Sequence, residues 1–357
     1  MRVAIISYKL PSPGRKSGGI ERVAHCLADG LAQRGHRVTV FTYDTDIEGA
    51  RYKVQGLPLG GLWKNWLGQR MTMGYLGNVI TLCGNYNEFD VIVAHGDSLL
   101  LPLRAKPVVR VMHGSALGEA LSADSPWRFL LQLGVYCQEL ITGLFQQNCV
   151  AVSQNTRSYN PFIRHVISNG VDLSVFYPVP ECKTPEPSVA YVGVLGSRKR
   201  GMLLLKWFAR EVLVRHPTAK LMVVGDSGPR IPGVIFFTGV SDTELAAVYR
   251  RAWVYASPST YEGFGLPSLE AMASGTPVVA TPNPGSRELL GDGRYGLLVQ
   301  DGEFGMTLAE LLADSEARQR LARLGLDRAQ DYSLKLTIDS YEALLSEVCN
   351  RNLGVGR

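Results

Sequence analysis

The chain has 357 residues, 46% apolar and 19% charged, with a formal net charge of +5. That length exceeds what one hydrophobic core fills, so two domains are expected, and the apolar share excludes a disordered chain. Six scattered cysteines without a CxxC pair exclude a zinc-ribbon or thioredoxin-type site and read as buried free thiols.

Short apolar runs alternate with helical spacing from the first residues. Arg2–Ser7 reads as a strand buried on both faces, and a glycine-bearing loop follows to Gly19. Ile20, Val23, Ala24, Leu27 and Leu31 then recur at helical spacing, and Gly35 ends that helix as a C-cap. Val38–Thr42 is the next strand, which completes a βαβ opening of the kind that builds parallel sheets. Residues 50–88 show no clean period. Val91–Ala94 and Val108–Met112 are further strands, and Pro126 to Gln146 is a long apolar helix. Cys149–Ser153 and His165–Ile167 close the first unit. Asn169-Gly170-Val171-Asp172 is turn chemistry, and Pro178, Pro180, Pro185 and Pro187 mark a linker.

The pattern then restarts. Strands are predicted at Val189–Val194, Lys220–Val224, Val234–Thr238, Trp253–Ala256, Pro277–Ala280 and Gly296–Val299. Helices are predicted at Met202–Arg215, Asp242–Arg251, Pro267–Ser274, Phe304–Asp314, Glu316–Asp331 and about 334–350. The fold class is α/β, with two Rossmann-like domains facing across a cleft. The divisions are 1–170, 171–333 and a C-terminal helix, 334–357, that can pack back on the first domain.

The densest chemical signal is the block Tyr261-Glu262-Gly263-Phe264-Gly265-Leu266-Pro267-Ser268-Leu269-Glu270. A glycine-bearing loop follows a strand and feeds a helix that starts near Pro267, a residue preorganised for a first helical turn. Free loop amides and the positive helix end make an anion site that suits a diphosphate. Glu270, placed on the first turn, can accept from ribose hydroxyls. Glu262, eight residues earlier, faces the open cleft. Other templates fail: there is no P-loop, no G-x-S-x-G elbow and no G-x-G-x-x-G in the first βα loop. Asp44-Thr45-Asp46 is a D-x-D triplet without further ligands nearby and reads as a surface loop.

This E-x7-E block resembles the donor-binding signature of the GT4 family of retaining glycosyltransferases, which have the GT-B fold. Ser17-Gly18-Gly19-Ile20-Glu21-Arg22 resembles that family's N-terminal glycine loop. Ile167-Ser168-Asn169-Gly170-Val171-Asp172 resembles its interdomain segment, and Ser286–Leu290 with Gly296–Val299 its segment after the donor helix. The resemblance implies that Glu270 binds the ribose and Glu262 the donor sugar near the reacting centre. It implies that amides of Phe264, Gly265 and Leu266 hold phosphate or sugar, and that Gly18 and Gly19 let the diphosphate approach the backbone. Arg198-Lys199-Arg200 resembles the family's basic pair beside the donor phosphates, where cations meet the charge of the leaving group. It departs in detail: the family's arginine after the strand glycine is Val194 here, and its lysine before the next glycine is Arg200. Which of the three touches phosphate is left open. His113, just after the strand Val108–Met112, resembles the family's histidine facing the donor sugar, with His95 as a substitute.

The implied enzyme moves a sugar from a nucleoside-diphosphate sugar to an acceptor hydroxyl with retained configuration, without metal or other cofactor. A lipid-linked or cell-envelope polysaccharide precursor is the first reading of the acceptor, and a soluble small molecule the alternative. A sugar-nucleotide epimerase of the same fold is the rival activity. The basic excess lies in the first half, where residues 1–172 hold 17 Lys+Arg against 12 Asp+Glu, whereas residues 173–357 hold 20 of each. With Trp63, Trp66, Arg70, Trp127 and Arg128 it suggests a basic, aromatic face toward a membrane. Nucleic acid is not expected as a partner. No apolar run has transmembrane length and the N-terminus reads as a strand, so the expected location is cytoplasmic, with the inner membrane face as an extension.

Overall fold

The computed structural model describes residues 1–11, 18–43, 49–58, 77–96, 98–104, 106–123 and 125–354. Ser17, the Asp44–Asp46 triplet, Trp63, Trp66 and Arg70 lie outside the described residues.

The first domain runs β1 (Arg2–Ile6), α1 (Gly19–Gln33), β2 (Arg37–Thr42), β3 (Lys53–Gly56), α2 (Gly77–Leu82), β4 (Val91–Ala94), β5 (Val108–Met112), α3 (Ala116–Leu121), α4 (Pro126–Phe145), β6 (Cys149–Ala151), α5 (Gln154–Ser158) and β7 (His165–Val166). Among the described residues its sheet has the order β3-β2-β1-β4-β5-β6-β7, and the neighbours pair in parallel. Val3 stands opposite Val38 on one side and Val91 on the other. Val3, Ala4, Ile5 and Ile6 are almost fully buried because helices cover both faces of a parallel sheet, which is why β1 reads as an unbroken apolar run.

The second domain runs β8 (Ser188–Gly193), α6 (Gly201–Trp207), β9 (Lys220–Gly225), β10 (Val234–Phe237), α7 (Asp242–Arg251), β11 (Val254–Ser257), α8 (Leu266–Ala273), β12 (Val278–Ala280), α9 (Pro284–Leu290), β13 (Leu297–Leu298), α10 (Phe304–Ala313) and α11 (Ser315–Gln330), and is followed by the helix α12 (Leu334–Gly354). Its sheet has the order β10-β9-β8-β11-β12-β13, again parallel. Each sheet therefore reverses strand order once, between β1 and β4 and between β8 and β11. Open α/β sheets bind ligands beyond the C-terminal ends of strands at such a switch point.

Some element bounds differ from the sequence reading. The helix expected over 202–215 is interrupted, since α6 passes through a π-helical turn at Phe208–Val212 before Leu213–Arg215. α8 starts at Leu266 with Pro267 second, so Glu270 stands on its second turn rather than its first. The expectation of buried thiols holds fully only for Cys149, because Cys83, Cys137 and Cys182 are exposed.

The chain crosses between the domains twice, and the crossings pair with each other. Val171 N–H donates to Tyr332 O at 2.9 Å, and Leu334 N–H returns to Val171 O at 2.8 Å. A Cβ on Gly170 would stand 2.5 Å from Leu334 Cα, so the Asn-Gly-Val-Asp segment needs its glycine for this close backbone approach. Beyond the second crossing, α12 lies against α1. Ile338, Tyr341, Leu344, Leu345 and Val348 join the core of Leu27 and Leu31. Arg34 reaches Asp339 and Glu342 at 2.5 Å each, and His36 reaches Glu342 at 2.7 Å.

Candidate active site

The C-terminal ends of the two sheets face each other across a cavity of about 580 Å³. Gly18 and Gly19 enter it from the N-terminus of α1. His95 and His113 enter from the ends of β4 and β5, Arg198 and Lys199 from the loop after β8, and Glu262 to Pro267 from the loop after β11. The sequence-predicted residues thus converge from five separated segments, with two exceptions described below.

Glu262 is 6% exposed and carries two cationic partners. Lys199 Nζ lies 2.6 Å from its Oε1, and Arg198 Nη1 lies 3.3 Å from its Oε2. Burial works to raise the carboxyl pKa, but Lys199 and then Arg198 outweigh it and hold Glu262 below its usual range. Arg198 is further fixed by donating to Tyr261 O at 2.8 Å. The site therefore keeps an ionised carboxylate and two cations within one contact shell, where an entering anion would share the cations.

The loop ahead of α8 supplies neutral donors. Gly265 adopts φ of 102°, a left-handed conformation that glycine takes without a Cβ clash. Among the described residues, no group accepts from the amides of Phe264, Gly265 and Leu266. The first amides of a helix have no intrahelical acceptor, so they stay available to a ligand. Opposite them, a Cβ on Gly19 would meet nothing within 4 Å, and one on Gly18 only Glu21 at 3.6 Å. Packing within the chain does not demand these glycines, and the space they leave belongs to the cavity.

Arg200 is the first exception. It sits at φ 52°, which turns its side chain away from its two basic neighbours. Its guanidinium donates to Pro258 O at 2.6 Å and pairs with Asp301 at 2.6 and 2.9 Å. It does not line the cavity, so the expected donor contact is corrected to a structural tie. Arg198 and Lys199 are left as the cations of the site.

Glu270 is the second. It is 1% exposed and lies outside the cavity lining. Arg22 Nη1 is 2.7 Å from its Oε1, and the Tyr249 hydroxyl donates to its Oε2 at 2.9 Å. Burial lifts the Glu270 pKa above its usual range, and Arg22 and Tyr249 offset only part of that. Ribose hydroxyls would meet a carboxylate already engaged by Arg22 and Tyr249. Arg22 also faces Asp242 at 3.1 Å and stacks over Phe176, so a side chain of α1 pins the second domain. The sequence gives its position inside the glycine-loop motif but no sign of its partners.

Further contacts hold the domains together beside the cavity. Ser115 N–H donates to the Tyr261 hydroxyl oxygen at 2.7 Å, and the Ser153 hydroxyl donates to Gly263 O at 2.6 Å. The amides of Gln154 and Asn155 donate to Glu288 at 2.8 and 2.7 Å, so the N-terminus of α5 takes a carboxylate from the other domain. A Cβ on Gly263 would stand 2.2 Å from His113 O, which makes glycine obligatory for this approach. Arg128, expected on a membrane-facing patch, instead donates to Ser197 at 2.8 Å across the cleft.

The same two-domain architecture is found among known glycosyltransferases. A family model described as "Glycosyltransferase Family 4" matches residues 17–175, and one described as "Glycosyl transferases group 1" matches residues 186–314. The D-inositol 3-phosphate glycosyltransferase of Corynebacterium efficiens is 28% identical, with 97% of this chain and 95% of that protein covered. Its counterpart in Corynebacterium glutamicum is 27% identical over 99% and 98%. Among solved structures, sucrose-phosphate synthase from Thermosynechococcus elongatus superposes with a TM-score of 0.79 at 22% identity, covering all of both chains. Anabaena HepE in complex with UDP and glucose gives a TM-score of 0.72 at 19% identity, covering 97% of this chain and 100% of that one.

Proposed function

The chain belongs with the GT4-type glycosyltransferases of the GT-B fold, and on that premise we propose that it transfers a sugar from a nucleoside-diphosphate sugar to an acceptor hydroxyl with retained anomeric configuration. One observation carries the proposal: an ionised Glu262 held by Arg198 and Lys199 at one side of the cavity, facing unpaired helix amides and the open space at Gly18 and Gly19. The rival reading as an epimerase is set aside, because both matching models describe glycosyltransferases.

In the proposed reaction the diphosphate lies against Arg198, Lys199 and the amides of Phe264, Gly265 and Leu266. The bond from the anomeric carbon to the phosphate oxygen breaks, and the leaving group gains negative charge. Preorganised cations and amides stabilise that charge without reorganising. The acceptor oxygen attacks the same face, and its proton passes to the departing phosphate oxygen, so no enzyme nucleophile is needed. Glu262 orients Lys199 and Arg198 and offers its carboxylate to the sugar. His113 is kept neutral, its pKa pushed down to about 4 by burial and the nearby Arg110, and so can hydrogen-bond a sugar hydroxyl without adding charge. Contact between the domains excludes water that would otherwise hydrolyse the donor.

The acceptor reading draws on α4. Trp127, Leu130, Leu131, Ile141, Leu144 and Phe145 are exposed and recur at helical spacing, so one solvent face of this 20-residue helix is apolar. No helix among the described residues is long and apolar enough to cross a membrane. A helix of this kind lies in a membrane interface, and a lipid-linked acceptor there would reach the cleft from the first domain. A soluble phosphorylated polyol is the second reading, favoured by the chain-long similarity to enzymes named for inositol 3-phosphate.

A panel of UDP-, GDP- and ADP-sugars without acceptor tests the donor reading. Slow release of one nucleoside diphosphate, with the freed sugar not epimerised, is expected. An epimerised sugar, or no release and no binding across the panel, would overturn it. Flotation with vesicles, followed by an acceptor panel, separates the two acceptor classes.

A further inference from the structure

His95 and His113 follow adjacent strands, and their rings stack with centroids 5.1 Å apart. His95 Nδ1 lies 2.9 Å from His113 Nε2, so one ring N–H donates to the other ring nitrogen. Both residues line the cavity. His95 itself is 5% exposed, and its Nε2 is buried with no partner among the described residues.

We propose that His95 is a positioning residue: it donates from Nδ1 to His113 Nε2 and so fixes His113 as the Nδ1–H tautomer, which points its remaining donor to the ligand. The two possible arrangements differ at the buried end of the pair. If His113 donated, His95 would carry its own proton on Nε2, and a buried N–H would be left without an acceptor. Orphaned buried N–H groups are rare in folded proteins because they lose a water partner and gain none. When His95 donates, its Nε2 is a bare acceptor and no N–H is stranded. Burial drives the pKa of both rings down, so neither accepts a second proton near neutrality and the single bridging proton is kept. A ring held by its Nε2 has only Nδ1 left for a ligand, and here that nitrogen is a donor. A neutral donor suits a sugar hydroxyl oxygen, which ties this inference to the nucleotide-sugar reading of the cleft.

The test uses the full-length enzyme labelled with 15N-histidine and long-range 1H–15N correlation spectra without substrate. Two rings are expected to stay neutral between about pH 6 and 8, both protonated on Nδ1, each lost in one of the variants His95→Asn and His113→Asn. A His113 ring protonated on Nε2 would overturn the proposal. Kinetics supply the second arm. The short amide of His95→Asn can donate from near the Nδ1 position, so His113 keeps its tautomer and kcat stays within about threefold. His95→Leu removes the donor, and kcat falls about tenfold, the worth of one hydrogen bond. Equal losses in the Asn and Leu variants would mean that the ring only packs, and would overturn the positioning role. The tautomer is read without donor, so it stands or falls independently of the transferase reading, which the nucleotide-sugar panel decides.

Discussion

Replacing Arg22 by methionine gives the sharpest thermodynamic test of how the domains are joined. Arg22 is the cationic partner of Glu270, whose side chain is 1% exposed, while its other partner, Asp242, is 48% exposed and can turn to water. The penalty therefore falls on Glu270, left with the Tyr249 hydroxyl as its remaining partner. Removing one member of a buried ion pair costs about 3–5 kcal/mol, because the other charge stays desolvated. For a cooperative unit of domain size, that lowers Tm by roughly 6–20 °C. The loss should also depend on pH. A carboxyl whose pKa is raised in the folded state prefers to fold protonated. Its contribution is fully present below the ordinary value of 4.5 and is lost as pH rises through the raised folded value. Burial already raises Glu270, and removing Arg22 raises it further, so the Arg22→Met deficit should shrink from pH 8 to pH 5. Adding Glu270→Gln should restore most of the lost stability at pH 8, since a neutral amide needs no cation. Differential scanning fluorimetry of the wild type and the two variants across pH reads all of this. A Tm loss below about 3 °C, unchanged between pH 5 and 8, would refute the buried pair and mean that water reaches Glu270 in solution.

Other outcomes follow from the same geometry. Glu262→Gln should cut kcat by about 10²–10³ while nucleotide diphosphate affinity, measured by calorimetry, changes less than about threefold; unchanged turnover would remove the role assigned to Glu262. Lys199→Ala should weaken diphosphate binding and turnover together, whereas Arg200→Ala, which loses only the tie to Asp301 and Pro258, should lower Tm and leave donor KM unchanged. Steady-state kinetics on both variants decide between one cation loop and two separate roles. Gly263→Ala should push the loop off His113 O and reduce kcat with little loss in Tm, and a fully active variant would show that this contact is dispensable. Replacing Trp127, Leu130 and Phe145 together by serine should abolish flotation with anionic vesicles without changing donor hydrolysis, and unaltered flotation would move the membrane face elsewhere.

Much of the fold is local in origin and so is legible along the chain. Val91–Ala94 is buried on both faces and is an unbroken apolar run, while Val108–Met112 is equally buried and apolar except for Arg110. Strand β3 escaped this signal because Lys53–Gly56 lies at the sheet edge and is largely exposed, so it carries no apolar run. The short helix α9 was likewise hidden, since seven residues starting with Pro284 and Gly285 show too few turns for a period. The cleft loop with Glu262 was legible because its glycines, its proline and the following helix are adjacent in sequence, and adjacency fixes their geometry.

What the sequence determined by itself is therefore the two parallel sheets, their order of appearance, and the loop chemistry that brings a carboxylate and cations to strand ends. What only the tertiary structure decided are the pairings between distant segments. Arg198, Lys199 and Arg200 are alike in charge and neighbours in the chain, yet a left-handed backbone at Arg200 sends it to Asp301 while the other two meet Glu262. Arg22 finds Glu270 and Ser115 finds Tyr261 only when the two domains meet. Burial and Coulomb interactions act through space, so no reading along the chain assigns them before the fold has set the distances.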